Sequence, residues 1–202
     1  MSRIWALVAL ALIVVATLGC SQKIPATEAI AAAEQALADI HEPAMKYVPD
    51  KYAEVKADLE IARKAFAEEN YPYALAAAEL IPAKAKELGE AAAAAQEALA
   101  AELKVEWAEL AETMPGQLAN LTAKVTELDQ AKRLPKGIAR DTVEQAKSGL
   151  ALAEQAWNDA NVAYDAGNFE GAVARARASE QVIANLMIAI GMTSPAAGTP
   201  AG

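Results

Sequence analysis

Few residues of this chain are suited to chemistry. It holds one cysteine, Cys20, and one histidine, His41. A zinc site needs about four nitrogen, sulfur or carboxylate donors, and His41 has no second histidine to join it. It falls where the first helix is expected to end, and an imidazole there interacts well with the helix dipole. No Gly-rich phosphate loop, nucleophile elbow or H-E-x-x-H pair occurs. The carboxylates lie among lysines and arginines, as Glu54 and Asp58 do beside Lys51 and Lys56, which is the pattern of a solvated helix face. No catalytic residue, metal or cofactor is therefore expected. The remaining distinctive side chains are Tyr47, Tyr52, Tyr71, Tyr73, Trp107 and Trp157. They serve either as the core of a domain short of large residues or, for Tyr71 and Tyr73 beside a helical turn, as an exposed aromatic edge for a partner protein or a glycan.

Cys20 has its own context. Arg3 precedes an uncharged run from Ile4 to Leu18, the order of a secretory signal. The run is shorter than the roughly 20 residues of a spanning helix. It ends Thr17-Leu18-Gly19-Cys20-Ser21, which resembles the bacterial lipobox, with Thr17 standing where that motif most often has Leu. The resemblance implies cleavage between Gly19 and Cys20 and a diacylglycerol on the thiol. A sole cysteine has no partner for an intramolecular disulfide, and lipidation accounts for its position and its solitude. Two acyl chains suffice for stable anchoring. Ser21 after the cysteine is similar to the sorting signal for the outer membrane, with the protein facing the periplasm.

The formal net charge is −9, and removing residues 1–19, which contain Arg3 alone among charged residues, makes it −10. Such a surface argues against nucleic acid as a partner, because phosphate backbones need clustered cations. About a quarter of the residues are alanine, the strongest helix former and a poor strand former. The fold class follows: all-α, an elongated antiparallel bundle of about six helices with a thin, close-packed core.

Along the chain, the signal peptide (1–19) and a short linker (20–26) lead to a first helical region (27–113) and a second (114–192), with a disordered tail (193–202). A first helix is expected over 27–40, capped by Thr27, with Ile30, Ala33, Leu37 and Ile40 on one face and Pro43 ending it. A second, capped by Asp50, carries Tyr52, Val55, Leu59, Ala62 and Phe66. After a turn at Asn70 a long third helix runs to about Thr113, with a kink near Pro82 or Gly89 and a smooth tract from Ala91 to Ala95 able to lie against another helix. Met114-Pro115-Gly116 reads as a turn. Leu118, Leu121, Val125 and Leu128 then form a heptad-like seam, broken at Leu134-Pro135-Lys136-Gly137. The fifth helix, capped by Asp141 or Thr142, reaches Ala166, Gly167-Asn168 stops it, and the last runs over 169–190.

An offset of 98 aligns Ala62, Ala65 and Phe66 with Ala160, Ala163 and Tyr164, Asn70-Tyr71 with Asn168-Phe169, and Ala74, Ala76, Ala78 and Leu88 with Ala172, Ala174, Ala176 and Leu186. A helical hairpin is written twice: an aromatic closes one helix, Asn turns the chain, an aromatic opens the next, and alanines follow where the helices meet. The pattern resembles half of a tetratricopeptide repeat, without that family's 34-residue period or its proline. Tyr47-Val48-Pro49-Asp50-Lys51-Tyr52 and Asn70-Tyr71-Pro72-Tyr73-Ala74 are more similar to bacterial lipoproteins that carry a helical-hairpin domain of unknown function. That likeness implies a helical envelope lipoprotein and no activity.

These readings lead to a membrane-anchored, non-enzymatic scaffold or adaptor for another envelope protein. A carrier holding a small molecule or lipid between helices is the alternative, and a tether to the cell wall a third. The long helix with its bare alanine tract leaves room for self-association.

Overall fold

A computed structural model describes residues 22–193. The signal segment, Gly19, Cys20 and the tail after Thr193 lie outside the described residues. The fold is all-α, a helical bundle. Its helices are α1 (Lys23–Asp39), α2 (His41–Tyr47), α3 (Pro49–Ala67), α4 (Tyr71–Glu79), α5 (Ile81–Gln130), α6 (Arg140–Asp165) and α7 (Phe169–Ala189). The chain divides into two compact units between Ala98 and Leu99, and α5 contributes its first part to one and its second part to the other.

In the first unit α1, α3 and α4 pack on one another together with the start of α5. Ala33 and Leu37 of α1, Tyr52, Val55 and Leu59 of α3, and Ile81, Ala85 and Leu88 of α5 share one buried cluster. Arg63 of α3 grips Glu34 of α1 at 2.7 Å. That hydrogen bond, followed by the attraction of the Glu34 charge, raises the Arg63 pKa. In the second unit Trp107, Leu110, Met114, Leu118, Leu121, Val125 and Leu128 of α5 form an unbroken buried seam against α6 and α7. Their three- and four-residue spacing keeps one stripe facing the core. Arg177 of α7 reaches Glu106 of α5 and Glu180 at 2.7 and 2.8 Å, and hydrogen bonding first to Glu180, then to Glu106, raises its pKa.

The structure corrects several expectations. Met114-Pro115-Gly116 is not a turn but lies inside the 50-residue α5. Proline in a helix interior costs about 3 kcal/mol, whereas each large side chain buried on the seam returns about 1.5–3 kcal/mol, so the seam on both sides of Pro115 outweighs it. The break expected near Pro82 is present, at Leu80 between α4 and α5. Pro82 lacks the N–H that would reach the Ala78 carbonyl, and it sits in the first turn of α5, where no N–H is needed. Buried Ala74, Ala78, Ile81, Ala85 and Leu88 stay in register across the interruption. Gly89 causes no break, and of the tract Ala91 to Ala95 only Ala92 is buried.

The helix starts also differ from expectation. Helix α1 begins at Lys23, and Thr27 lies inside it, its hydroxyl donating to the Lys23 carbonyl at 2.9 Å. Helix α1 ends at Asp39, whose carbonyl Pro43 has no N–H to meet, and Pro43 then stands in the first turn of α2. Val48 and Ala139 occupy the N-cap positions expected of Asp50 and of Asp141 or Thr142, with no side-chain cap at either. Packing of the apolar stripes, which extends past the polar residues, sets these starts.

Candidate functional site

The two hairpin turns have the same backbone. Asn70 has φ −84° and ψ 65°, and Asn168 has φ −85° and ψ 73°. The Asn70 N–H donates to the Ala65 carbonyl and the Asn168 N–H to the Ala163 carbonyl, both at 2.9 Å. Phe66 meets Tyr71 edge-on at 5.2 Å and 66°, and Tyr164 meets Phe169 at 5.2 Å and 62°. The interior alanines match as well: Ala62 with Ala160, Ala65 with Ala163, Ala74 with Ala172 and Ala78 with Ala176 are all buried.

The two copies part where the turn meets solvent. Before Asn168 the left-handed position is Gly167, with φ 78°, while before Asn70 it is Glu69, with φ 60°. That conformation costs a side-chain-bearing residue about 1 kcal/mol. In the second copy the Asn168 side chain caps α7, its Oδ1 accepting from the Gly171 N–H at 2.9 Å. In the first copy the equivalent of Gly171 is Tyr73, and Asn70 makes no such cap. A Cβ at Gly171 would stand 2.5 Å from Asn168 Nδ2, so a side chain at this position would require that amide to shift. The first turn thus lacks a cap worth about 1 kcal/mol, and Tyr73 beside it is 54% exposed.

Around Tyr73 lies an exposed apolar surface. Ile61 of α3 is 48% exposed and Leu80, at the junction of α4 and α5, is 60% exposed. Together with Ala76 and Ala77 they line a shallow groove of about 280 Å³. Asp58 and Lys84, paired at 2.6 Å, border it. The corresponding residues of the second unit, at the same offset of 98, are Asp159 for Ile61, Gly171 for Tyr73, Arg175 for Ala77 and Ala178 for Leu80. The duplicated hairpins therefore share an interior and differ on this outer face, apolar in one and polar or small in the other.

The other residues singled out from sequence separate into distinct places. Tyr71 does not share the exposed edge with Tyr73: it packs on Phe66, with Leu75, against Ala26, Ala65 and Ala74, and Lys23 Nζ lies 5.8 Å from its ring centroid. His41 stands at the start of α2, not at the end of α1. Its Nδ1 is 2.9 Å from the hydroxyl of buried Tyr52, and the rings meet edge-on at 5.3 Å. Tyr47 is half-buried beneath Lys46, 5.0 Å from its ring centroid. Trp107 is sandwiched between Trp157 at 5.3 Å and Tyr164 at 4.6 Å. Cys20 and Gly19 lie outside the described residues. Among the described residues no three His, Cys, Asp or Glu side chains gather as a metal site, and no helix is long and apolar enough to cross a membrane.

Sequence reasoning missed Ile61 and Leu80, although a signal existed. On α4 the buried face runs Tyr71, Ala74, Ala78, and Tyr73 and Leu80 fall off it; on α3 the face runs Val55, Leu59, Ala62, and Ile61 falls off it. Large apolar residues off a helix's buried stripe are the mark of an outward face. The chain matches no family model, no curated protein and no solved structure.

Proposed function

We propose that this chain is a non-enzymatic, lipid-anchored adaptor of a bacterial envelope, which binds another protein through the outer face of its first hairpin, around Tyr73, Ile61 and Leu80. One observation carries this. Tyr73, Ile61 and Leu80 together expose large apolar side chains on one face where the duplicate hairpin has Asp159, Gly171 and Ala178. Exposed aromatic and branched apolar side chains, clustered with a polar border, are the composition of an interface anchor. The groove between α3 and α4 suits the apolar stripe of an amphipathic helix, with Asp58 and Lys84 each able to re-pair with an opposite charge on the partner. The anchor is the lipid expected on Cys20, with Ser21 directing the chain to the outer membrane, facing the periplasm.

The test is a crosslinked pull-down from native membranes, comparing wild type with Tyr73→Ala, Leu80→Asp and, as a matched control in the duplicate, Ala178→Asp. A partner captured by wild type and by Ala178→Asp but lost from Tyr73→Ala and Leu80→Asp supports the proposal. Equal capture by all four proteins contradicts it. Because the three altered side chains are exposed or border exposed surface, far-UV circular dichroism should show unchanged helix content in each.

A further inference from the structure

The second unit carries a different surface. A groove of about 600 Å³ runs between α5 and α6, lined by Leu118, Ala119, Thr122, Glu154, Trp157 and Asn158. Trp157 is the end member of the stack Trp157–Trp107–Tyr164, so one face of its ring is held by Trp107 and its position is fixed from behind. In the first unit the equivalent residue is the buried Leu59, and the stack has no counterpart among the described residues.

The polar groups at this groove have few partners within the protein. Glu154 has one contact, 3.5 Å from Thr122 Oγ1, and no cation beside it. Thr122 donates its hydroxyl hydrogen to the Leu118 carbonyl at 2.8 Å, which leaves its oxygen free to accept. Asn158 and the Trp157 indole N–H bond to no other described residue. The groove thus offers an acceptor-only carboxylate, a hydroxyl acceptor, an amide that both donates and accepts, and an indole donor, beside an aromatic ring. An anionic ligand would meet the uncompensated Glu154 charge, and a purely apolar one would strand every one of these polar groups. A neutral ring with hydroxyls around its rim and C–H bonds on its faces satisfies both, because the negative face of an indole attracts polarised C–H groups. The volume lies within the range of small-ligand sites.

We propose that this groove binds a neutral saccharide, one pyranose ring stacking on Trp157 while its hydroxyls bond to Glu154, Asn158 and Thr122. The site is independent of the Tyr73 surface, so either can fail without the other. The experiment is saturation-transfer-difference NMR on the full chain, purified from membranes in a detergent without a sugar headgroup, with chitobiose, cellobiose and maltose as probes. Saturation of ring protons by at least one disaccharide, abolished in Trp157→Ala and weakened about 3- to 10-fold in Asn158→Ala, as loss of one hydrogen bond implies, supports the assignment. Trp157→Ala loses packing and can unfold the unit, so the exposed Asn158→Ala and Glu154→Ala carry the decision. Absence of transfer from all three probes overturns the proposal, and so does transfer that neither exposed variant alters.

Discussion

Pro115 and Gly116 sit inside α5, and replacing both with alanine should make the protein more stable. A proline in mid-helix deletes one backbone hydrogen bond, here to the Ala111 carbonyl, and its ring crowds that same carbonyl, for about 3 kcal/mol in total. Pro115 is exposed, so Ala leaves no cavity. A Cβ on Gly116 would meet nothing within 4 Å, and Gly→Ala inside a helix gains about 0.5–1 kcal/mol. Against this, loss of the proline's rigidity in the unfolded chain takes back about 0.4–1 kcal/mol, and relaxation around Pro115 in the native helix has already relieved part of its strain. The expected net gain is about 2 kcal/mol, a rise of about 5–10 °C in the melting temperature of a unit this size. Thermal melts followed by far-UV circular dichroism and by tryptophan fluorescence, with Trp107 and Trp157 both in the second unit's core, measure it. If Met114-Pro115-Gly116 were instead a tight turn, proline would pre-set it and glycine would supply the φ it needs. The double variant would then lose about 1 kcal/mol or more, and that result would refute a continuous α5.

Four further expectations can be checked directly. Asn168→Ala should cost about 1 kcal/mol in a urea titration, because it removes a cap, whereas Asn70→Ala should cost only a few tenths; equal losses would mean the two turns do not differ as described. Gly167→Ala should destabilise by about 1 kcal/mol and Glu69→Gly should be neutral or stabilising, since both residues hold the left-handed conformation; the same denaturation assay decides, and a destabilised Glu69→Gly counts against it. Leu121→Ala, at a fully buried position of the α5 seam, should cost about 2–5 kcal/mol, and Cys20→Ala should abolish incorporation of radiolabelled palmitate and move the chain out of the membrane fraction, an outcome that a transmembrane anchor would not give.

Much of the fold was legible because helix-forming composition and buried periodicity agree along most of the chain. The stripe on α3, the seam Leu118–Leu121–Val125–Leu128 and both Asn turns follow from residue type and spacing alone. Pro115 was misleading because a local breaker competed with a long-range term, the burial of Leu110, Met114 and Leu118 against two other helices, which no short window shows. The helix starts were misplaced for a similar reason: Thr27, Asp50 and Asp141 are good caps, yet packing extended each helix past them. At the candidate site, pairing Tyr71 with Tyr73 overlooked that residues two apart lie on different sides of a helix. The outward placement of Tyr73 became visible only beside Gly171, its counterpart in the second hairpin.

The partner-binding face is tested most directly by placing a photo-reactive amino acid at position 73 in living cells, with a second chain carrying it at position 171, the equivalent place in the duplicate hairpin. A discrete protein adduct from position 73, absent from position 171 and abolished when Leu80→Asp is added, is the predicted result. An adduct of equal yield from both positions, or one indifferent to Leu80→Asp, would contradict the assignment of this face.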